Sequence, residues 1–336
     1  MARRRHLLAT LGVAAGSALF FYAVQQAGVA AIAQGVRRVG WGLAPILALA
    51  GLRFALRAEA WRRCMPADAR LDFPRAWRAF LAGDAVGSVT PLGLLASEPT
   101  KVFLTRHDLA TRDSVSSLAL ENVVYAASVL AMVALGLVVT AATVDLPAPW
   151  RTTLIVGLAA IVVAVPVSFR LARGTWDEAR GARPRWRDAI ARVRMSIVGP
   201  AAPARGDLLT VFALDLLFHA LAVLETFMTL GWLMGDRGPT LAQAIVFEAL
   251  NRVVTVAFKF VPFRIGVDEA LSGALAPLMA VSPAAGVALA VVRKVRNLFW
   301  AGIGLAVTAT HPASATAGDS RGPSGDRPET ASARRV

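Results

Sequence analysis

Six stretches of about twenty or more predominantly apolar residues, at roughly 7–27, 41–60, 114–143, 152–171, 208–233 and 284–309, dominate the chain. Each is long enough to cross the ~30 Å hydrocarbon core of a bilayer as an α-helix. Lipid offers the backbone no hydrogen-bond partners, so helices of this kind imply an all-α polytopic membrane protein. Only 17% of the residues are charged, against about 25% in ordinary soluble proteins, and the mean hydropathy is +0.56.

The first stretch follows "MARRR", and "AIA" at Ala31–Ala33 resembles a signal-peptidase site. Several further spans follow it, which favours an uncleaved first helix. Two other apolar regions, about 80–105 and 241–281, are broken by proline and charge and do not read as single clean spans.

The net charge is +14, a balance that in a soluble protein would raise nucleic acid as a partner. The basic residues instead flank apolar runs, which points to cytoplasmic loops and anionic lipid and away from nucleic acid. With the N-terminus in the cytoplasm, 24 Arg and Lys residues fall in inside segments and four, Arg37, Arg38, Arg151 and Arg237, fall outside. This asymmetry requires both broken regions to return to the side they enter. The expectation is therefore about six crossing helices plus two re-entrant helical hairpins, with both termini cytoplasmic in a bacterial inner membrane. A membrane domain would occupy 1–310, with halves at about 41–171 and 208–309 joined by a basic loop at 172–207. The Pro/Gly/Ser-rich stretch 311–336 reads as a disordered tail.

Shifting the chain by 171 positions lays "VTPLGLLASEPTKVFL" over "FVPFRIGVDEALSGAL". Pro91 then falls on Pro262, Glu98 on Glu269, and Asn122 on Arg293. Three crossings separate the copies, and an odd number makes the repeat inverted. Such repeats with broken helices are a recurring transporter plan, with the substrate near the midplane. On this reading Pro91 and Pro262 mark hairpin tips, and Glu98 and Glu269 sit in early helical turns favoured by the dipole. Ordinary interfacial loops are the alternative.

The pattern Thr90-Pro91, Gly93, Glu98-Pro99, Lys101 and Leu104 resembles a hallmark of the lysylphosphatidylglycerol synthase transmembrane, or flippase-like, family. A second hallmark of that family is similar to Pro262, Gly266, Glu269 and Arg293 within "VPFRIGVDEALSGALAPLMAVSPAAGVALAVVRKVRNLFW". The resemblance implies a multi-span protein that moves lipids between leaflets. Some members carry a soluble aminoacyl transferase domain; none follows here, so the resemblance implies transport and not synthesis. Ser97 and Asp268 stand where the family usually has glycine, which leaves the substrate undefined.

Charges at membrane depth cost ~2.5–3.5 kcal/mol on insertion scales and mark cavities or partners. In "VVRKVRNLFW", Arg293, Arg296, Asn297 and Trp300 share one helical face. They would bind a phosphate headgroup or pair internally with Glu98, Glu121, Glu248 or Glu269. Glu248 and Arg252, four apart, read as a structural pair. Asp215 and His219, also four apart, read as a buried hydrogen-bonded pair, with proton relay as the alternative. The candidate substrate-binding residues are Pro91, Glu98, Lys101, Glu121, Asn122, Pro262, Arg264, Glu269, Arg293, Arg296 and Asn297.

No catalytic, cofactor or metal motif is expected: HExxH and Walker patterns are absent, and the single cysteine, Cys64, reads as a packing residue. Gly12 and Gly16, and Gly302 and Gly304, read as helix-packing glycines. The leading expectation is a flippase-like transporter for a lipid with an anionic or phosphate-containing headgroup, with a homo-oligomer allowed. A membrane-embedded transferase acting on a lipid carrier, and a non-transporting scaffold for lipid-modifying partners, are the alternatives.

Overall fold

The computed structural model describes residues 29–90, 93–145, 147–149, 151–160, 205–259, 261–264 and 266–309. The expected first span, most of the basic loop, the C-terminal tail and Pro91 lie outside them.

Every regular element among the described residues is helical. In chain order these are α1 (Val29–Val39), α2 (Leu43–Arg63), α3 (Phe73–Val89), α4 (Leu94–Thr105) and α5 (Thr111–Thr143). They continue with α6 (Arg151–Ala160), α7 (Arg205–Met234), α8 (Leu241–Ala257), α9 (Val267–Leu275) and α10 (Pro283–Ala309).

Three helical segments among the described residues, Arg37–Arg63, Thr111–Thr143 and Asp207–Arg237, are long and apolar enough to cross a membrane. They coincide with three of the expected spans, and the protein is a multi-pass membrane protein. The helix α10 is 27 residues long but carries Arg293, Lys294 and Arg296 at its centre. Its length meets the requirement for crossing; its charge sets it apart from the other three.

The two broken regions are helix pairs. Pro74 sits in the first turn of α3, where its missing N–H costs no helical bond. A capping box opens α8: Thr240 Oγ1 accepts from the Gln243 N–H at 3.2 Å, and Gln243 Oε1 accepts from the Thr240 N–H at 2.7 Å. Beyond α8 the backbone turns through left-handed conformations at Phe263 and Arg264, each with φ 49°, and Gly266 with φ 83°. Glycine adopts this region freely and the other two do so against steric strain. Glu269 then accepts the Gly266 N–H at 2.9 Å and starts α9.

The order of a long helix, a helix of 17 residues, a short helix and a long helix occurs twice, as α2–α5 and as α7–α10. The contacts obey a two-fold rule: α3 packs on α10 as α8 packs on α5, α5 meets α7 as α10 meets α2, and α2 packs on its counterpart α7. Phe73–Val89 and Leu241–Ala257 lie 168 positions apart. The 171-residue shift read from sequence thus aligns the breaks, while the helices before them align three positions closer.

Glycines make these approaches possible. A Cβ at Gly136 on α5 would stand 2.1 Å from Ala249 Cβ on α8, and one at Gly304 on α10 would stand 2.5 Å from the Leu81 carbonyl on α3. These are equivalent contacts, since 136 and 304, and likewise 81 and 249, are 168 apart. Similarly, a Cβ at Gly286 on α10 would meet the Ser272 carbonyl of α9 at 2.3 Å. Small residues that let backbones approach are the usual basis of helix association in lipid. Gly304 therefore packs as expected; Gly302 does not, having nothing within 4 Å of a Cβ. Gly12 and Gly16 are outside the described residues.

Apolar clusters fill the rest. Val39, Ile46, Leu230, Phe247 and Leu289 join α1, α2, α7, α8 and α10, and Trp61, Met65, Phe80 and Leu118 join α2, α3 and α5. Trp61 Nε1 donates to Ser117 Oγ at 3.0 Å, and Cys64 is buried and free of any disulfide, as a packing residue should be.

Gly136→Val and Gly286→Val are each expected to destabilise the purified protein by ~1–3 kcal/mol through overpacking. Gly302→Val should leave the thermal midpoint unchanged in the same scanning-fluorimetry experiment.

Candidate functional site

A cavity of about 320 Å³ lies where α2, α3, α4, α5, α7, α8, α10 and the segment after α8 converge. Seven basic side chains line it, Arg53, Arg57, Lys101, Arg252, Lys259, Arg264 and Arg296, against two acids, Asp84 and Glu98. Phe80, Tyr125, Phe218 and Trp300 supply aromatic wall. The lining is predominantly cationic.

Buried acids on the outer side of this wall hold most of the cations. Glu225 on α7 bridges two arginines: Arg53 Nη1 donates to its Oε2 at 2.8 Å, and Arg296 Nη1 donates to its Oε1. Glu248 on α8 repeats the arrangement, accepting from Arg252 on its own helix and from Arg293 Nη2 on α10 at 3.1 Å. Both acids are 2% exposed. In each triad one carboxylate faces two guanidiniums, so each carries a surplus positive charge. Burying an ion pair is itself costly, and removing one partner is costlier still.

Aromatic faces share the load. Arg57 lies 3.4 Å from the Tyr125 ring centroid, Arg53 4.4 Å and Arg252 5.1 Å from that of Phe218, and the Lys101 ammonium 4.1 Å from that of Phe80. Cation–π attraction is strongest where water is excluded. Arg57 Nη2 also stands 2.7 Å from Glu121 Oε1, although neither Glu121 oxygen has an aligned hydrogen bond among the described residues.

The first hairpin is shaped around its lysine. A Cβ at Gly83 would meet Lys101 Cγ at 2.5 Å, so the glycine makes room for the side chain, whose Nζ donates to Glu98 Oε1 at 3.0 Å. Two-fold-equivalent positions carry opposite charges, since Asp84 on α3 lies 168 positions before Arg252 on α8. Among the described residues no group of three His, Cys, Asp or Glu side chains could hold a metal ion.

The family model described as the lysylphosphatidylglycerol synthase TM region matches residues 9–304. The chain belongs to this family. Comparison with curated proteins and with solved structures gave no match.

In this lysylphosphatidylglycerol synthase TM-region protein, six of the expected site residues come together at the cavity: Glu98, Lys101, Asn122, Arg264, Arg296 and Asn297. Asn122 Nδ2 donates to the Leu118 carbonyl at 2.9 Å, Arg264 Nε donates to Asp268 at 3.0 and 3.1 Å, and Asn297 Oδ1 accepts from Arg296 Nη2 at 2.8 Å. Three others stand behind the wall. Glu121 faces Arg57, Glu269 pairs with Lys294, and Arg293 donates to Thr226 Oγ1 at 2.8 Å as well as to Glu248. Pro262 opens the turn Pro262–Arg264.

The expected Glu248–Arg252 pair is present; the expected Asp215–His219 hydrogen bond is not. The His219 ring stacks on Tyr125 and its Nε2 meets Ser128 Oγ at 3.1 Å, while the Asp215 oxygens have no partner among the described residues. Spacing by four places two side chains on one face, but tertiary neighbours decide their partners.

Sequence reasoning passed over Arg53, Arg57, Glu225 and Phe218. The available signal was two arginines four apart inside the apolar run "GLRFALRAEA" of α2, which at membrane depth requires partners.

Glu248→Gln leaves Arg252 and Arg293 without their shared acid and is expected to destabilise the protein by ~3–5 kcal/mol. Lys259→Gln removes a solvent-exposed cation and should shift the thermal midpoint far less in a side-by-side unfolding experiment.

Proposed function

We propose that this protein is a lipid flippase-like transporter that moves a polar or anionic-headgroup lipid between leaflets, and not an enzyme. The headgroup enters the charged cavity while the acyl chains stay in lipid. The observation that carries the reading is the cavity lining: seven cations against two acids, placed between two repeats.

The repeats are read as inverted, with α3–α4 and α8–α9 as re-entrant hairpins. At ~1.5 Å per residue, α4 with 12 residues and α9 with nine fall well short of the ~30 Å hydrocarbon core, so neither crosses alone. Irregular backbone between them is tolerated at membrane depth where it lines a cavity. The Arg/Lys asymmetry of the loops supports cytoplasmic N- and C-termini in a bacterial inner membrane.

Lys101 and Arg264 would meet the headgroup, and Glu98 would balance their charge as it passes. Two surplus guanidinium charges make an anionic ligand favourable, because charges at this depth require a partner.

Purified protein reconstituted into liposomes with fluorescent lipids of differing headgroup should carry dithionite quenching well past the outer-leaflet half for anionic lipids. Lys101→Gln and Arg264→Gln should each slow that phase roughly tenfold, the loss expected for a charge-assisted contact. A plateau at half for every headgroup would refute the transport reading.

A further inference from the structure

We infer that Arg53 and Arg252, each lying over the ring of Phe218, form the subsite for the phosphate group of the transported headgroup. This assignment rests on the transport reading above and sharpens it, since it places the phosphate on residues from both repeats, Arg53 on α2 and Arg252 on α8.

The argument begins with charge. Glu225 and Glu248 each face two arginines, and in each case one of the two comes from α10: Arg296 for Glu225 and Arg293 for Glu248. Those α10 arginines suffice to neutralise both acids. The remaining partners, Arg53 and Arg252, are then in surplus.

Geometry brings the surplus together. The Arg53 and Arg252 guanidiniums lie 4.4 and 5.1 Å from the centroid of one ring, Phe218, and both side chains line the cavity. The two residues are 8% and 6% exposed.

Unused donors complete the picture. Arg53 Nη1 and Arg252 Nη2 reach the acids, and Arg252 Nη1 donates to the Tyr125 hydroxyl at 3.2 Å. The Nε–H of each has no acceptor among the described residues. A buried donor without an acceptor is unfavourable. A phosphate supplies several acceptor oxygens and a negative charge, and the planar guanidinium fork matches its geometry. Turning each guanidinium in its plane toward the cavity would give the Nε–H a phosphate oxygen while the α10 arginines keep the acids paired.

The test uses the full chain in detergent, with thermal unfolding followed against added phosphatidylglycerol, an uncharged diacylglycerol, and soluble glycerol phosphate. A ligand that binds only the folded state raises the midpoint with concentration. Phosphatidylglycerol is expected to raise the wild-type midpoint and diacylglycerol is not. In Arg53→Gln/Arg252→Gln the half-saturating concentration should rise roughly tenfold or more, as for loss of charge-assisted bidentate contacts. Arg151→Gln/Arg237→Gln, which removes the same charge from outside the cavity, should bind as the wild type does. A response to glycerol phosphate as well would identify free phosphate as a source, and a response to phosphatidylglycerol alone would identify the lipid; loss of either in the double variant supports the subsite. If the double variant does not fold, the single variants carry the same measurement, because Glu225 keeps Arg296 and Glu248 keeps Arg293. A wild type that prefers phosphatidylglycerol, with an Arg53→Gln/Arg252→Gln variant that binds it equally well, would overturn the subsite and leave the transport reading intact. A wild type indifferent to the headgroup would remove the anionic-lipid reading itself.

Discussion

The sharing of two buried carboxylates among four arginines is the interaction on which the centre of this protein depends. Arg53–Glu225–Arg296 and Arg252–Glu248–Arg293 tie α2, α7, α8 and α10 together, and Arg53 carries the first triad across the boundary between the two repeats. Charges of this kind are stable at membrane depth only with partners, so the helices must stay in the register that keeps the triads formed. The same triads leave positive charge over, and the cavity stands beside that surplus.

The two-fold arrangement follows from how helices associate in lipid. Without a hydrophobic force between them, close backbone contact and buried polar bonds decide the packing. Gly136 against Ala249 and Gly304 against Leu81 are the same contact made twice, and they set α5 on α8 and α10 on α3. The halves differ where chemistry is placed. Lys101 is paired within its own hairpin with Glu98, whereas Glu269 of the second hairpin is held from α10 by Lys294. Asp84 and Arg252 occupy equivalent positions with opposite charge. The frame is two-fold, and the charged lining within it is not.

Much of the site was legible because charged and amide side chains inside apolar runs are rare enough to stand out. Glu98, Lys101, Arg264, Arg296 and Asn297 were visible in this way, and each reaches the cavity. Arg293 was equally visible, yet it turns to Thr226 and Glu248 behind the wall, because neighbouring positions on one helical face can meet different helices. Arg53 and Arg57 lay in a stretch that reads as an ordinary span with a basic end. Phe218 carried no sequence signal at all, since an aromatic residue in an apolar helix is ordinary until cations gather around its ring. The Asp215–His219 pair failed for a related reason: a shared face brings side chains within reach of each other, and Tyr125 and Ser128 offered His219 better neighbours.

By itself the sequence determined an all-helical membrane protein, its family, the positions of three long spans and of the two breaks, and the register that aligns those breaks. These depend on local hydropathy, backbone hydrogen bonding in lipid and the conformational limits of proline and glycine, all of which are written along the chain. Tertiary structure alone decided which acid meets which arginine, that α10 supplies one arginine to each triad, and that residues from α2 and α8 converge on Phe218. Those outcomes depend on interhelical contacts between residues up to 172 positions apart, where the rotation of each helix about its own axis, set by glycine contacts and core packing, determines which side chains share a space.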